Sequence, residues 1–133
     1  MSESPRTILI VEDEAALRRV LERALTREGH RVLGAASAET AYELLATERP
    51  NAVLLDVHLP TMSGLALYLA IVHRTPTLLG RIAIMTGDAD ADHVRAWLEV
   101  NPCTVLRKPF DLREIVEWVR AVIDEPGRRR GNG

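Results

Sequence analysis

NAVLLDVHLPTMSG, residues 51–64, runs from a greasy segment into a charge and then into a loop. Ala52–Leu55 is a short apolar run of the kind that forms a strand buried on both faces, and it ends abruptly on Asp56. Pro60, Ser63 and Gly64 mark the following residues as a loop that leads into a helix. A carboxylate at the carboxyl end of a buried strand stands where open α/β sheets place their chemistry. Asp also opens turns with no further role, so the other strand ends decide between the two readings.

Outward from this stretch, the same alternation repeats. Upstream, the β-branched run Thr7–Val11 has strand character and stops at Glu12 and Asp13. Leu17, Val20, Leu21, Ala24 and Leu25 recur at helical spacing over residues 14–28, and Gly29 ends that helix. A second strand covers Arg31–Ala35, and Ser37 caps a helix through Thr47. Downstream, Leu65–His73 predicts a helix closed by the TPT segment at Thr75–Thr77. A strand over Arg81–Met85 stops at Thr86–Gly87, and a short helix spans Asp90–Val100. The last strand, Cys103–Arg107, ends on Lys108–Pro109; Asp111 then caps a helix with Leu112, Ile115, Val116, Val119 and Ile123 inward. Five βα units in strict alternation predict a flavodoxin-like doubly wound fold, a five-stranded parallel sheet of order 2-1-3-4-5 with helices on both faces. One domain over residues 6–125 is expected, with a flexible tail at 126–133.

Composition excludes several classes. The apolar share of 47% is that of an ordinary globular chain. With 17 basic against 19 acidic residues, the net charge of −2 offers no electrostatic case for nucleic-acid binding. The lone Cys103 cannot form an internal disulfide and, beside Val105–Leu106, reads as a buried thiol. No apolar run approaches the ~20 residues of a membrane span and no signal-peptide core is present, so a cytoplasmic setting is expected.

In a parallel sheet all strand ends point one way, so Glu12, Asp13, Asp56, Thr86 and Lys108 can converge on one crevice. Each has a plainer reading: Asp13 as a helix cap, Thr86 as a turn residue, Lys108 as a solvated charge. Converging carboxylates repel one another unless something offsets them, and an all-oxygen set suits Mg²⁺. His58 is a weaker metal ligand through its ring than through its backbone carbonyl. With such a cation, Asp56 can attack a phosphoryl group to give an acyl phosphate. Lys108 would then neutralise charge, Thr86 would hydrogen-bond a phosphoryl oxygen, and Gly87 would leave space for the group.

The chain resembles the receiver domain of two-component response regulators over Thr7–Asp124. The resemblance rests on Glu12–Asp13, Asp56-x-x-x-Pro60-x-x-x-Gly64, Thr86–Gly87 and Lys108–Pro109–Phe110, in order and at the family's spacing. It implies that Asp56 takes a phosphoryl group from a sensor histidine kinase or a histidine phosphotransfer protein. It assigns Mg²⁺ to Asp13, Asp56 and the His58 carbonyl, with Glu12 acting largely through water. It also implies a cis Lys108–Pro109 bond, and no enzyme activity beyond self-phosphorylation and slow self-dephosphorylation. Receivers often carry an aromatic switch residue three positions before the lysine; here Val105 stands there.

Rival readings are a flavodoxin-type flavin binder, disfavoured by the acids Glu12–Asp13–Glu14 after the first strand, and an aspartyl-phosphate phosphatase, disfavoured by His58 where a second acid belongs. A degenerate receiver that docks without phosphorylation lacks no residue and stays open. The output is expected to pass to an unknown downstream protein, without membrane or DNA contact by this chain. A homodimer through the fourth and fifth βα units is one arrangement open to it.

Overall fold

The computed structural model describes residues 6–124, so the tail assigned to residues 126–133 lies outside the described residues. Strands β1 (Thr7–Val11), β2 (Arg31–Ala35), β3 (Ala52–Asp56), β4 (Ile82–Thr86) and β5 (Thr104–Arg107) alternate with helices α1 (Ala15–Arg27), α2 (Ala38–Thr47), α3 (Gly64–Arg74), α4 (Asp92–Val100) and α5 (Leu112–Asp124). All pairings are parallel, in the order β2-β1-β3-β4-β5. This is the sheet the alternation predicts.

The pleat sorts side chains to two cores, because successive residues of a strand face opposite ways. Leu9, Val11, Val53, Leu55, Ile82 and Ile84 meet Ala41 and Leu45 of α2, Leu67 and Ile71 of α3 and Val94 of α4. Ile8, Ile10, Leu54, Ala83 and Met85 meet Leu21 and Leu25 of α1 and Ile115, Val119 and Ile123 of α5. Every residue of β3 and β4 is buried, as continuous apolar runs in a covered parallel sheet should be.

Local signals set the element ends. His30 N–H donates to the Leu25 carbonyl and Gly29 N–H to that of Thr26, closing α1 in a Schellman motif with Gly29 at φ +96°. The Ser37 hydroxyl accepts from Thr40 N–H at the start of α2. Asp111 and Glu114 form a reciprocal capping box on α5: the Asp111 carboxylate accepts from Arg113 N–H, and Glu114 reaches back to Asp111 N–H.

Three expectations shift. The fourth strand runs one residue later than Arg81–Met85, which makes Thr86 its last residue and not the first of the loop. Helix α4 starts at Asp92, not Asp90, because Asp88 and Ala91 first close a turn through Ala91 N–H to the Asp88 carbonyl. Cys103 precedes β5 and is half-buried; desolvation still pushes its thiol up to about 11.

Candidate functional site

The site forms where strands end. Val11 lies opposite Leu55 in the β1–β3 register, so the next residues along, Glu12 and Asp56, come side by side. Both are buried, at 1% and 3% exposure, whereas Asp13 is exposed. Carboxylate oxygens of Glu12, Asp13 and Asp56 all lie within 4.8 Å of one another. Lys108, carried in by the end of β5, sets its Nζ 3.1 Å from Glu12 Oε1 and 3.4 Å from Asp56 Oδ2. The Lys108–Pro109 peptide is cis, as the resemblance implies.

Backbone donors hold the acids from behind. Glu14 N–H donates to Glu12 Oε2 at 3.1 Å, and His58 N–H to Asp56 Oδ1 at 3.1 Å. The Arg18 guanidinium donates to the Glu12 carbonyl at 2.7 Å, pinning the turn into α1. Burial raises the Glu12 carboxyl above its ordinary pKa; the Glu14 N–H works against this, and the Asp56 charge adds to it. Burial also acts to lower the Lys108 amine, but the hydrogen bond it donates to Glu12 and the charges of Asp56 and Glu12 outweigh it and leave it raised. Lys108 is therefore a fixed cation at neutral pH. One ammonium against three carboxylates leaves negative charge in excess, and desolvating such charge costs several kcal/mol per ion unless offset. An all-oxygen donor set with that excess fits a hard divalent cation.

Gly64 explains the spacing of the Asp56-x-x-x-Pro60-x-x-x-Gly64 motif. A Cβ built there would collide with the Asp56 carbonyl oxygen and lie 2.8 Å from both Asp56 C and Val57 Cα. Gly64 N–H donates to the Val57 carbonyl at 2.7 Å, so α3 begins hard against the back of the Asp56 peptide. Only glycine permits that approach. Gly87 is different: a Cβ there would make only ordinary contact, 3.9 Å from Lys108 Cβ.

Thr86 is fully buried at the end of β4, and its carbonyl accepts from Lys108 N–H at 2.8 Å. Its hydroxyl donates to Asp88 Oδ1 at 2.7 Å, and Asp88 N–H donates back to the hydroxyl oxygen at 3.1 Å. The His58 ring is not among the converging acids: its Nε2 lies 3.0 Å from the same Asp88 oxygen. Hydrogen bonds from His58 and then from Thr86 hold the Asp88 carboxyl below its ordinary pKa. The structure brings Glu12, Asp13, Asp56 and Lys108 together at one strand edge. Sequence reasoning misses Asp88 as the partner of Thr86 and Arg18 as the brace of Glu12. An acid two residues after a threonine was the available signal for the first.

Among the described residues no helix is long and apolar enough to cross a membrane. Residues 8–120 match the response regulator receiver domain family. The chain is 34% identical over 128 residues to the phosphate regulon transcriptional regulatory protein PhoB of Pseudomonas aeruginosa, covering 96% of this chain and 54% of that protein. It is 32% identical to sporulation initiation phosphotransferase F of Bacillus subtilis, covering 85% of this chain and 90% of that one. This chain thus spans about half the length of the first of these relatives. A crystal structure of a CheY-like response regulator receiver domain protein from Methanospirillum hungatei superposes with a TM-score of 0.85 at 26% identity, covering 95% of this chain and 99% of the other. With its sheet order and its matched span in agreement, the chain belongs to the response regulator receiver domain family, a family of signalling domains.

Proposed function

We propose that Asp56 is the phosphoacceptor of this chain. The observation that carries the reading is the meeting of Asp56 with Glu12, Asp13 and the Lys108 ammonium at one strand edge. An Asp56 oxygen forms a bond to phosphorus as the bond from phosphorus to the donor breaks. With a phosphohistidine donor that is the P–N bond, and the imidazole leaves with its electron pair and takes up a proton. The donor class is a sensor histidine kinase or a histidine phosphotransfer protein.

Lys108 is close enough to Asp56 to neutralise a transferring phosphoryl oxygen, and Thr86 supplies a hydroxyl donor at the adjacent strand end. Asp13, Asp56 and the His58 carbonyl would hold Mg²⁺, with Glu12 acting through water. When bound, the ion supplies positive charge that offsets the carboxylates and the phosphoryl oxygens. The protein's own turnover on this reading is limited to self-phosphorylation and slow self-dephosphorylation.

The signal leaves through the β4–α4 and β5–α5 units. Thr86 is drawn toward the phosphoryl oxygens, since a charge-assisted hydrogen bond is about twice as strong as a neutral one. The loop 87–90 and α4 follow. Val105 sits half-buried beside a depression of about 340 Å³ lined also by Ala89, Leu98, Arg95 and Arg107, so no aromatic ring of this chain's β5 reports the change. The surface formed by these two units is where a downstream protein or a second copy would bind.

Intact mass after incubation with acetyl phosphate and Mg²⁺ tests the assignment. The protein should gain one phosphoryl group, and Asp56→Asn should gain none. An equal gain in Asp56→Asn would move the site elsewhere; no gain in either would leave the docking-module reading.

A further inference from the structure

The Thr86 hydroxyl has one proton to donate, and that proton is directed at Asp88 Oδ1, 2.7 Å away. Asp88 N–H holds the hydroxyl oxygen from the other side at 3.1 Å. The same Asp88 oxygen lies 3.0 Å from His58 Nε2, and His58 N–H is bonded to Asp56 Oδ1. One chain of contacts therefore runs from the nucleophile's loop, through His58 and Asp88, to the hydroxyl that phosphoryl transfer needs.

We propose that Asp88, held in place by His58, is a positioning residue that latches the Thr86 hydroxyl away from the phosphoryl group, so that phosphorylation of Asp56 must first open this latch. The inference rests on the phosphoacceptor reading of Asp56. Its geometry is that of a brake and not of a structural strut. The His58 and Asp88 side chains are 61% and 50% exposed, so their bridge is of the weak, readily broken kind. The bond to Thr86 sits at the end of a strand whose residues are all buried. A hydroxyl cannot serve Asp88 and a phosphoryl oxygen at once, so the latch costs the phosphorylated state one donor until it opens. It also ties the loop after β3 to the loop after β4, residues 30 apart in sequence.

The test compares initial phosphorylation rates with acetyl phosphate and Mg²⁺, read by intact mass, and separately the decay rate after donor removal. Asp88→Ala should speed phosphorylation about threefold to tenfold, the range expected for releasing one partly exposed charge-assisted hydrogen bond. Asp88→Asn, which keeps an uncharged acceptor, should fall between. His58→Ala keeps the backbone carbonyl and should give about a twofold increase, and the double variant should not exceed Asp88→Ala. In a Thr86→Ala background, with no hydroxyl to hold, all of these gains should vanish. Wild-type-like or slower phosphorylation of Asp88→Ala overturns the latch, as does a gain that persists without Thr86. A change in decay alone would assign the pair to the path of hydrolytic water and also overturn it. If the wild type gains no phosphoryl group at Asp56, the phosphoacceptor reading itself fails, an outcome distinct from the others.

Discussion

Helices α3 and α4 follow strands that both end on a site residue, yet they are anchored very differently. Helix α3 buries Gly64, Leu65, Leu67, Tyr68 and Ile71 and is capped by the Ser63 hydroxyl accepting from Leu65 N–H. Its first residue is jammed against the Asp56 peptide. Helix α4 fully buries Val94 alone, and Ala91 at its N-cap offers no side-chain cap. The two helices touch through Tyr68 and Trp97, whose rings meet edge to face with centroids 5.0 Å apart. Even there α4 is poorly satisfied: among the described residues, Trp97 Nε1 is the buried side-chain donor left without a partner. Asp56, the proposed phosphoacceptor, is thus mounted on a firmly packed end and the Thr86 hydroxyl beside a loosely held one, a division suited to the proposed chemistry at Asp56 and movement beyond Thr86.

The firm end should break hardest. Gly64→Ala forces a Cβ into the Asp56 backbone and should cost about 3 kcal/mol or more, at the upper end for overpacking, measured by urea unfolding. A tolerated alanine would mean that α3 can back away, and the contrast with α4 would fall. A smaller difference tests whether the acids strain this end. Because the folded Glu12 carboxyl titrates above its ordinary value near 4.5, the native state binds more protons than the unfolded state just above that pH. Its favourable contribution is therefore present below the ordinary value and lost as pH rises through the raised one. Metal-free Glu12→Gln should be more stable than wild type at pH 7, with the gap closing toward pH 4. A gap that does not narrow on acidification would remove Glu12 as the source.

The loose end should respond to stiffening. Ala91→Ser supplies the missing cap and should stabilise the protein by roughly 0.5–1 kcal/mol, while reducing the amplitude of movement on phosphorylation. The smallest signal is optical. In a Trp118→Phe protein, Trp97 fluorescence should change with Mg²⁺ and a phosphoryl mimic and stay constant in the Asp56→Asn background. A silent Trp97 in fully phosphorylated protein would mean that the signal leaves by another face.

Much of this was legible because it depends on local pattern. Apolar runs such as Ala52–Leu55 and the helical pair Leu21 and Leu25 encode their own burial, although Val20 of the same stripe is exposed, and the residue after each run marks a strand end. A parallel sheet then brings the ends of β1, β3, β4 and β5 to one edge without further information. The missed contacts follow from how loops approach one another. Asp88 meets His58 across two turns whose shapes no periodicity encodes. Tyr68 meets Trp97 only because the twisted sheet brings α3 beside α4. Thr86 falls inside its strand because the β4–β5 ladder extends to pair it with Arg107, a register decided by the partner strand.

The pairing of Lys108 with Glu12 spans 96 residues. Glu12, Asp13 and Asp56 lie at the ends of the adjacent strands β1 and β3, so less than half the chain contains everything that repels in this site. The one ammonium that relieves them arrives only after β4 and β5 have been laid down beside them. In chain order, the residues that repel therefore come first and their internal remedy last. Closing so long a loop is entropically the dearest contact in the site. A divalent cation held by these carboxylates, as proposed above, would offset the same charge from outside the chain.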